Sequence, residues 1–227
     1  TTARRAEETL ANEPDDALVL RHFARIPPRG IEAAQRHADA LARAGRGAEA
    51  VPLLRAAWRD GPPADPSFEA AFLERHAARL TADDHWRRFD RLMWDNQAAA
   101  AARVVPRLDA ARRAAAEARL AARGNGEANV GTTARDIGVA HATARQLRQR
   151  DQDAQAAAVW AAAEPLQRDL SPEAAQAIWA ERQILARKLL RQFDARAAYR
   201  LVANHGQSEP GEARQEAEFL AGFIALR

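Results

Sequence analysis

The sequence has no cysteine, which excludes disulfides, thiolate metal sites and a cysteine nucleophile and leaves the redox compartment open. It has one lysine, Lys188, one tyrosine and one methionine. Valine, isoleucine and threonine together make up only about a tenth of the residues, so strand formers are scarce and an enzyme built on a parallel sheet is excluded. No apolar stretch reaches the ~18 residues that a membrane span needs, and Thr1 opens no charged-then-apolar leader. Blocks of five or more like charges are also missing, which removes the usual signature of a basic arm or an acidic tail.

What is abundant is alanine, about a quarter of the 227 residues, and alanine favours helix. Leucine, isoleucine, valine and phenylalanine sum to a little under a fifth. At high net charge that level reads as disorder, but here the net charge is only +3 and the apolar residues are periodic. The sequence pI of 10.3 reflects the high pKa of arginine more than a basic surface, because the arginines alternate with acids along every segment. These features predict a folded all-α chain whose helices approach closely over alanine surfaces.

Helix starts are written in the sequence. Asp65-Pro66, Thr81 to Asp84 and Ser171-Pro172-Glu173 each place a capping side chain ahead of proline or a first-turn carboxylate. Gly30, Gly45, Gly61, Gly124 and Gly206 fall near expected helix ends. Four connections share a pattern: LARAGRGAEAV from Leu41, LMWDNQAAAAA from Leu92, LRQRDQDAQAA from Leu147 and KLLRQFDARAA from Lys188. Each is a polar or glycine turn followed by small residues, and the turns lie about 40 to 55 residues apart, longer than a strict tetratricopeptide repeat. The expected architecture is a right-handed α-superhelix, a solenoid of stacked, tetratricopeptide-like helix pairs forming part of a ring. GNGEANVG, residues 124–131, is the expected loop or joint between a first part, 1–123, and a continuation, 132–227.

Chemistry-bearing residues are few. Trp86, Phe89 and Met93 share a helical stripe with Trp94 beside it, a core pattern whose functional alternative is a sugar-stacking platform; Trp58, Trp160 and Trp179 read as core. The six histidines show no i,i+4 pair and no H-E-x-x-H, so neither a metal nor a cofactor is implied. Asp83 and Asp84 read as the first turn of a capped helix, and Glu181, Glu216 and Glu218 as solvated faces rather than catalytic acids. The stretch 134–147, ARDIGVAHATARQL, resembles the helix-turn-helix of Lac-repressor-type regulators, with Gly138 in the turn and Ala142-Thr143 opening the recognition helix. The same residues also read as a helix pair of the solenoid, so nucleic acid is not the expected partner.

Two long stretches resemble the α-superhelical domain of the soluble lytic transglycosylases, which cleave peptidoglycan glycan strands. They are residues 72–124, with HWRRFDRLMWDNQAAAAARVVPRLDAARRAAAEARLAARG, and 171–227, with IWAERQILARKLL, AYRLVANHG and EAEFLAGFIALR. Between them, DIGVAHATARQLRQRDQDAQAAAVW looks like the helix pair of that family at the same place. The resemblance implies a periplasmic location, the MurNAc-GlcNAc bond as the parent enzyme's target with a 1,6-anhydromuramic product, and a goose-lysozyme-like catalytic domain as partner. That domain's E-S-x-F-x-P and G-L-M-Q motifs do not occur in this sequence, so no catalytic residue is carried over. The implied role is a non-catalytic scaffold that positions glycan strands, with other cell-wall proteins as further partners; the alternative reading is a tetratricopeptide-like solenoid that binds a protein segment. Charge placement nominates Arg87, Arg88, Arg91, Arg112, Arg113 and Arg119 as surface contacts to peptide-stem carboxylates, each pair worth at most about a kcal/mol and sensitive to salt.

Overall fold

The computed structural model of the chain describes residues 2–124, 136–168, 170–208 and 210–226. Among them the fold is all-α, with no strand: thirteen α-helices and four short 3-10 turns. The helices are α1 Thr2–Ala11, α2 Asp16–Phe23, α3 Ile31–Arg43, α4 Ala50–Asp60, α5 Pro66–His76, α6 Ala82–Trp94, α7 Ala98–Val104, α8 Ala110–Arg123, α9 Ile137–Gln149, α10 Asp153–Ala162, α11 Pro172–Arg191, α12 Ala195–Ala203 and α13 Glu212–Ala225. No described helix is long and apolar enough to cross a membrane.

The caps form where the sequence places them. The Asp65 carboxylate accepts from the N–H groups of Ser67 and Phe68, and Ser171 Oγ accepts from Ala174 N–H at 3.2 Å. Thr81 and Asp84 close a reciprocal box, Thr81 N–H donating to the Asp84 carboxylate at 2.8 Å and Asp84 N–H to Thr81 Oγ1 at 3.3 Å.

One turn recurs four times. Gly45, Asn96, Asp151 and Phe193 each adopt a left-handed conformation, with φ of 73°, 63°, 60° and 63°. The next residue's N–H then bonds back to the carbonyl of a leucine: Arg46 to Leu41 at 2.8 Å, Gln97 to Leu92 at 2.8 Å, Gln152 to Leu147 at 2.9 Å and Asp194 to Leu189 at 3.0 Å. This is the Schellman closure, which satisfies a carbonyl left open at the helix end. All four leucines are buried, as are Ala50, Ala101, Ala156 and Ala198, each nine residues further on. A large apolar residue at the end of one helix and a methyl group in the next let the two backbones come close.

The chain divides into two compact units, residues 1–92 with 96–109, and residues 93–95 with 110–227. In the first, Trp58 stacks on Phe72 at 5.9 Å between ring centroids, and Leu41, Leu54, Phe89 and Leu92 are also buried; Leu10, Val19, Phe23, Ala33 and Ala40 form a cluster of their own. In the second, Trp160 and Trp179 share a core with Ile178, Leu185, Leu201, Val202, Leu220 and Ile224, lined by alanines. The expected joint, 124–131, lies outside the described residues apart from Gly124. Helix α8, assigned by sequence to the first part, packs instead on α9 in the second unit. The Gln146 side-chain amide, which donates to the carbonyl of Ala122 at 2.5 Å, fixes that placement.

Candidate functional site

The six nominated arginines differ in exposure and in partners. Arg87 is exposed and pairs with Asp83 one turn away at 3.1 Å. Arg88 is fully buried: its guanidinium donates to Trp58 O at 2.6 Å and to Glu69 at 2.6 Å, and lies 4.2 Å from the Trp58 ring centroid. Arg91 is half-buried, donating to Arg59 O at 3.0 Å and to Gly61 O. On α8, Arg112 is half-buried and Arg113 exposed, and both already interact within the chain. Arg119 is buried, donates to Asp136 at 2.6 Å and faces the Trp94 ring at 5.9 Å. The expectation of surface contacts therefore fails at Arg88 and Arg119. Arg88 falls one helical turn from both Asp84 and Leu92, on the stripe of α6 that faces the core.

Around Arg88 the charges are paired in depth. Glu69, on α5, also accepts from Arg103 at 2.8 Å. Asp84 is fully buried and accepts from Arg55 at 2.8 Å. Burial pushes the Asp84 carboxyl up, but Arg55 and the Thr81 donors outweigh it and hold the group below its ordinary value. Glu181 corrects another expectation, for it is buried rather than solvated and is held by Arg148 through a two-pronged contact. Glu216 accepts from Arg187 at 2.6 Å and from Trp179 Nε1 at 3.2 Å, and Arg187 holds its pKa down. Glu218 pairs with Arg214 at 2.8 Å, also with a lowered pKa. Every described carboxyl whose pKa is displaced is displaced downward, the reverse of what a general acid requires.

The helix-turn-helix expectation is also corrected within the described residues. Residues 137–149 form one uninterrupted helix, α9, capped by Asp136, whose carboxylate accepts from Val139 N–H at 3.0 Å. Gly138 sits in its first turn, and Val139, Thr143 and Leu147 are buried. A Cβ on Gly138 would lie 2.6 Å from Arg119 Nε, so close packing of that side chain, not a turn, calls for glycine here. Trp58, Trp160 and Trp179 are core residues as read, while Trp86 is half-buried and stacks on Phe89 at 5.6 Å. His141 lies between Trp94 and Trp160, at 5.4 and 6.1 Å, and burial lowers its pKa to about 4.

A cleft of about 690 Å³ opens in the first unit, which sequence reasoning missed. Its wall is built by α1 and α3. Gly30 offers no side chain to cap α3, and Glu7 of α1 supplies the acceptor instead, taking the N–H groups of Arg29 at 2.5 Å and Gly30 at 2.7 Å. Arg79 donates to His76 Nδ1 at 2.7 Å, His76 Nε2–H donates to Gln35 of the lining, and the Gln35 amide donates to Asp39 at 3.1 Å. Burial and the nearby Arg79 lower the His76 pKa, in keeping with a neutral ring in this relay. Glu7, Glu32 and Asp39 line the cleft together with Phe68 and Pro62, and Arg36, also in its lining, pairs with Asp16 at 2.7 Å. Such a wall accepts hydrogen bonds from hydroxyl and ammonium groups. Its residues come from five separate segments, and no spacing in the sequence marks them as neighbours.

No protein-family model, curated protein or solved structure matches the chain.

Proposed function

We propose that this chain is a non-catalytic scaffold and substrate-positioning module of a periplasmic lytic transglycosylase, built as an α-superhelix of stacked, tetratricopeptide-like helix pairs. The observation that carries the reading is the recurrent turn. Three of its four copies, at Leu92, Leu147 and Leu189, fall in segments whose sequences resemble the superhelical domain of that family. A repeated helix-turn-helix closure buries a continuous core between neighbours and leaves extended surface for a polymer. The charged side chains support the non-catalytic part, since Arg88, Arg119 and Arg148 are spent joining helices to one another. The hydroxyl-accepting wall of the cleft suits a glycan or its amine-bearing stems.

The test is to incubate the purified chain with intact sacculi at low salt, separate pellet from supernatant, and analyse the supernatant for 1,6-anhydromuropeptides. The expected outcome is binding to the pellet with no anhydro product. Release of product overturns the non-catalytic reading, and absence of binding overturns the peptidoglycan reading. Arg87→Ala, which alters an exposed and locally paired residue, is expected to leave binding within twofold.

A further inference from the structure

At three of the four recurrent turns the left-handed position holds Gly45, Asn96 or Asp151, residue types that adopt this conformation readily. At the fourth it holds Phe193, for which a φ of 63° is strained. Packing does not compensate, because Phe193 is 96% exposed. Nor does the closure need it, since the Asp194 N–H to Leu189 O bond at 3.0 Å is the one its three counterparts make. A bulky aromatic residue is therefore held in an unfavourable backbone state, in water, with no benefit inside the fold.

Its surroundings indicate a use. Arg196, Tyr199 and Arg200 follow at i, i+3 and i+4 on the solvent stripe of α12, so Phe193, Arg196, Tyr199 and Arg200 alternate aromatic and cationic groups along one ridge. Arg191 flanks the turn. Unlike Arg88, Arg119 and Arg148, the guanidinium groups of Arg191, Arg196 and Arg200 make no hydrogen bond or ion pair among the described residues. The nearby Asp194 carboxylate is occupied in capping Ala197 N–H at 2.9 Å.

We propose that this ridge is a glycan-contact site, in which Phe193 and Tyr199 stack on the apolar faces of sugar rings and Arg191, Arg196 and Arg200 take the carboxylates attached to them. The inference rests on the peptidoglycan reading above and names the residues that would carry it. Open aromatic faces supply stacking area with little ordering cost, and the arginine fork matches a carboxylate. Single-stranded nucleic acid also uses aromatic and arginine contacts. Its dense phosphate charge calls for a more strongly basic track than a chain of net charge +3 provides.

The discriminating variant is Phe193→Asn, which removes the ring and suits the left-handed turn. It is expected to raise Tm by about 2–4 °C and to weaken retention on sacculi about fivefold or more. Tyr199→Ala and the pair Arg196→Ala with Arg200→Ala are expected to weaken retention with Tm changed by about 2 °C at most. If wild type binds sacculi and Phe193→Asn binds equally, the ridge proposal is overturned and the scaffold reading stands. If wild type does not bind, both fall. A lowered Tm for Phe193→Asn makes Phe193 a structural residue and overturns the proposal. So does displacement from sacculi by a single-stranded oligonucleotide whose own binding depends on Phe193.

Discussion

Replacing Arg88 by alanine tests whether the buried charges hold the first unit together. The guanidinium is fully buried and serves Trp58 O at 2.6 Å, Glu69 at 2.6 Å and the Trp58 ring at 4.2 Å. Removing one member of a buried pair leaves its partner uncompensated, which costs about 3–5 kcal/mol. Glu69 keeps Arg103 at 2.8 Å, which limits the loss. The vacated side-chain volume and the lost Trp58 carbonyl donor add to it. A net loss of about 4 kcal/mol follows, and for an m-value near 2 kcal/mol/M the urea midpoint of the first unit falls by roughly 2 M. With Trp94, Trp160 and Trp179 of the second unit replaced by Phe, tryptophan fluorescence follows the first unit's transition through Trp58 and Trp86. Replacing both partners by apolar residues, Arg88→Met with Glu69→Met, is expected to recover most of the loss, because neither desolvated charge then remains. A midpoint for Arg88→Ala within about 0.5 M of wild type would refute the reasoning, since Arg88 would then be able to reach water as its sequence context implied.

Three further outcomes follow from the same geometry. Burial lowers the His141 pKa from 6.5 to about 4, so the unfolded chain binds a proton first as pH falls; the second unit loses up to about 3 kcal/mol between pH 6.5 and 4, and an NMR titration placing His141 above 6 contradicts this. A Cβ on Gly61 would lie 2.2 Å from Ala57 O and 2.3 Å from Arg29 O, both backbone atoms, so Gly61→Ala is expected to cost about 2–3 kcal/mol, and a wild-type melting curve would count against it. Asp84→Ala breaks the capping box and strands Arg55 and Arg59 beside a buried gap, with about 3 kcal/mol lost in urea titration; a loss of only ~1 kcal/mol would show that the cap alone was at work.

The helix caps were legible because each is a contact between residues two or three apart, as at Asp65 and Ser67 or Thr81 and Asp84. The turn repeat was legible because its closure spans only five residues, as from Leu41 to Arg46. Arg88 was not, because its counter-charge Glu69 lies nineteen residues back on another helix, and local sequence cannot tell a paired core arginine from a surface one. One signal was available. With the four turns aligned on Leu41, Leu92, Leu147 and Leu189, the position four residues earlier holds His37, Arg88, Thr143 and Leu185, all buried. The position eight earlier holds Ala33, Asp84, Val139 and Glu181, also all buried. The repeat thus marks Arg88, Asp84 and Glu181 as core positions despite their charge. Alanine, which lines these interfaces, has one methyl group and little shape, so an alanine surface packs nearly as well after a shift of one turn. A buried pair such as Arg88 with Glu69 or Arg148 with Glu181 does not, because a shift strands both charges at a cost of several kcal/mol. On this argument the buried ion pairs fix which helix face meets which, and their conversion to apolar pairs is expected to preserve stability while loosening that register.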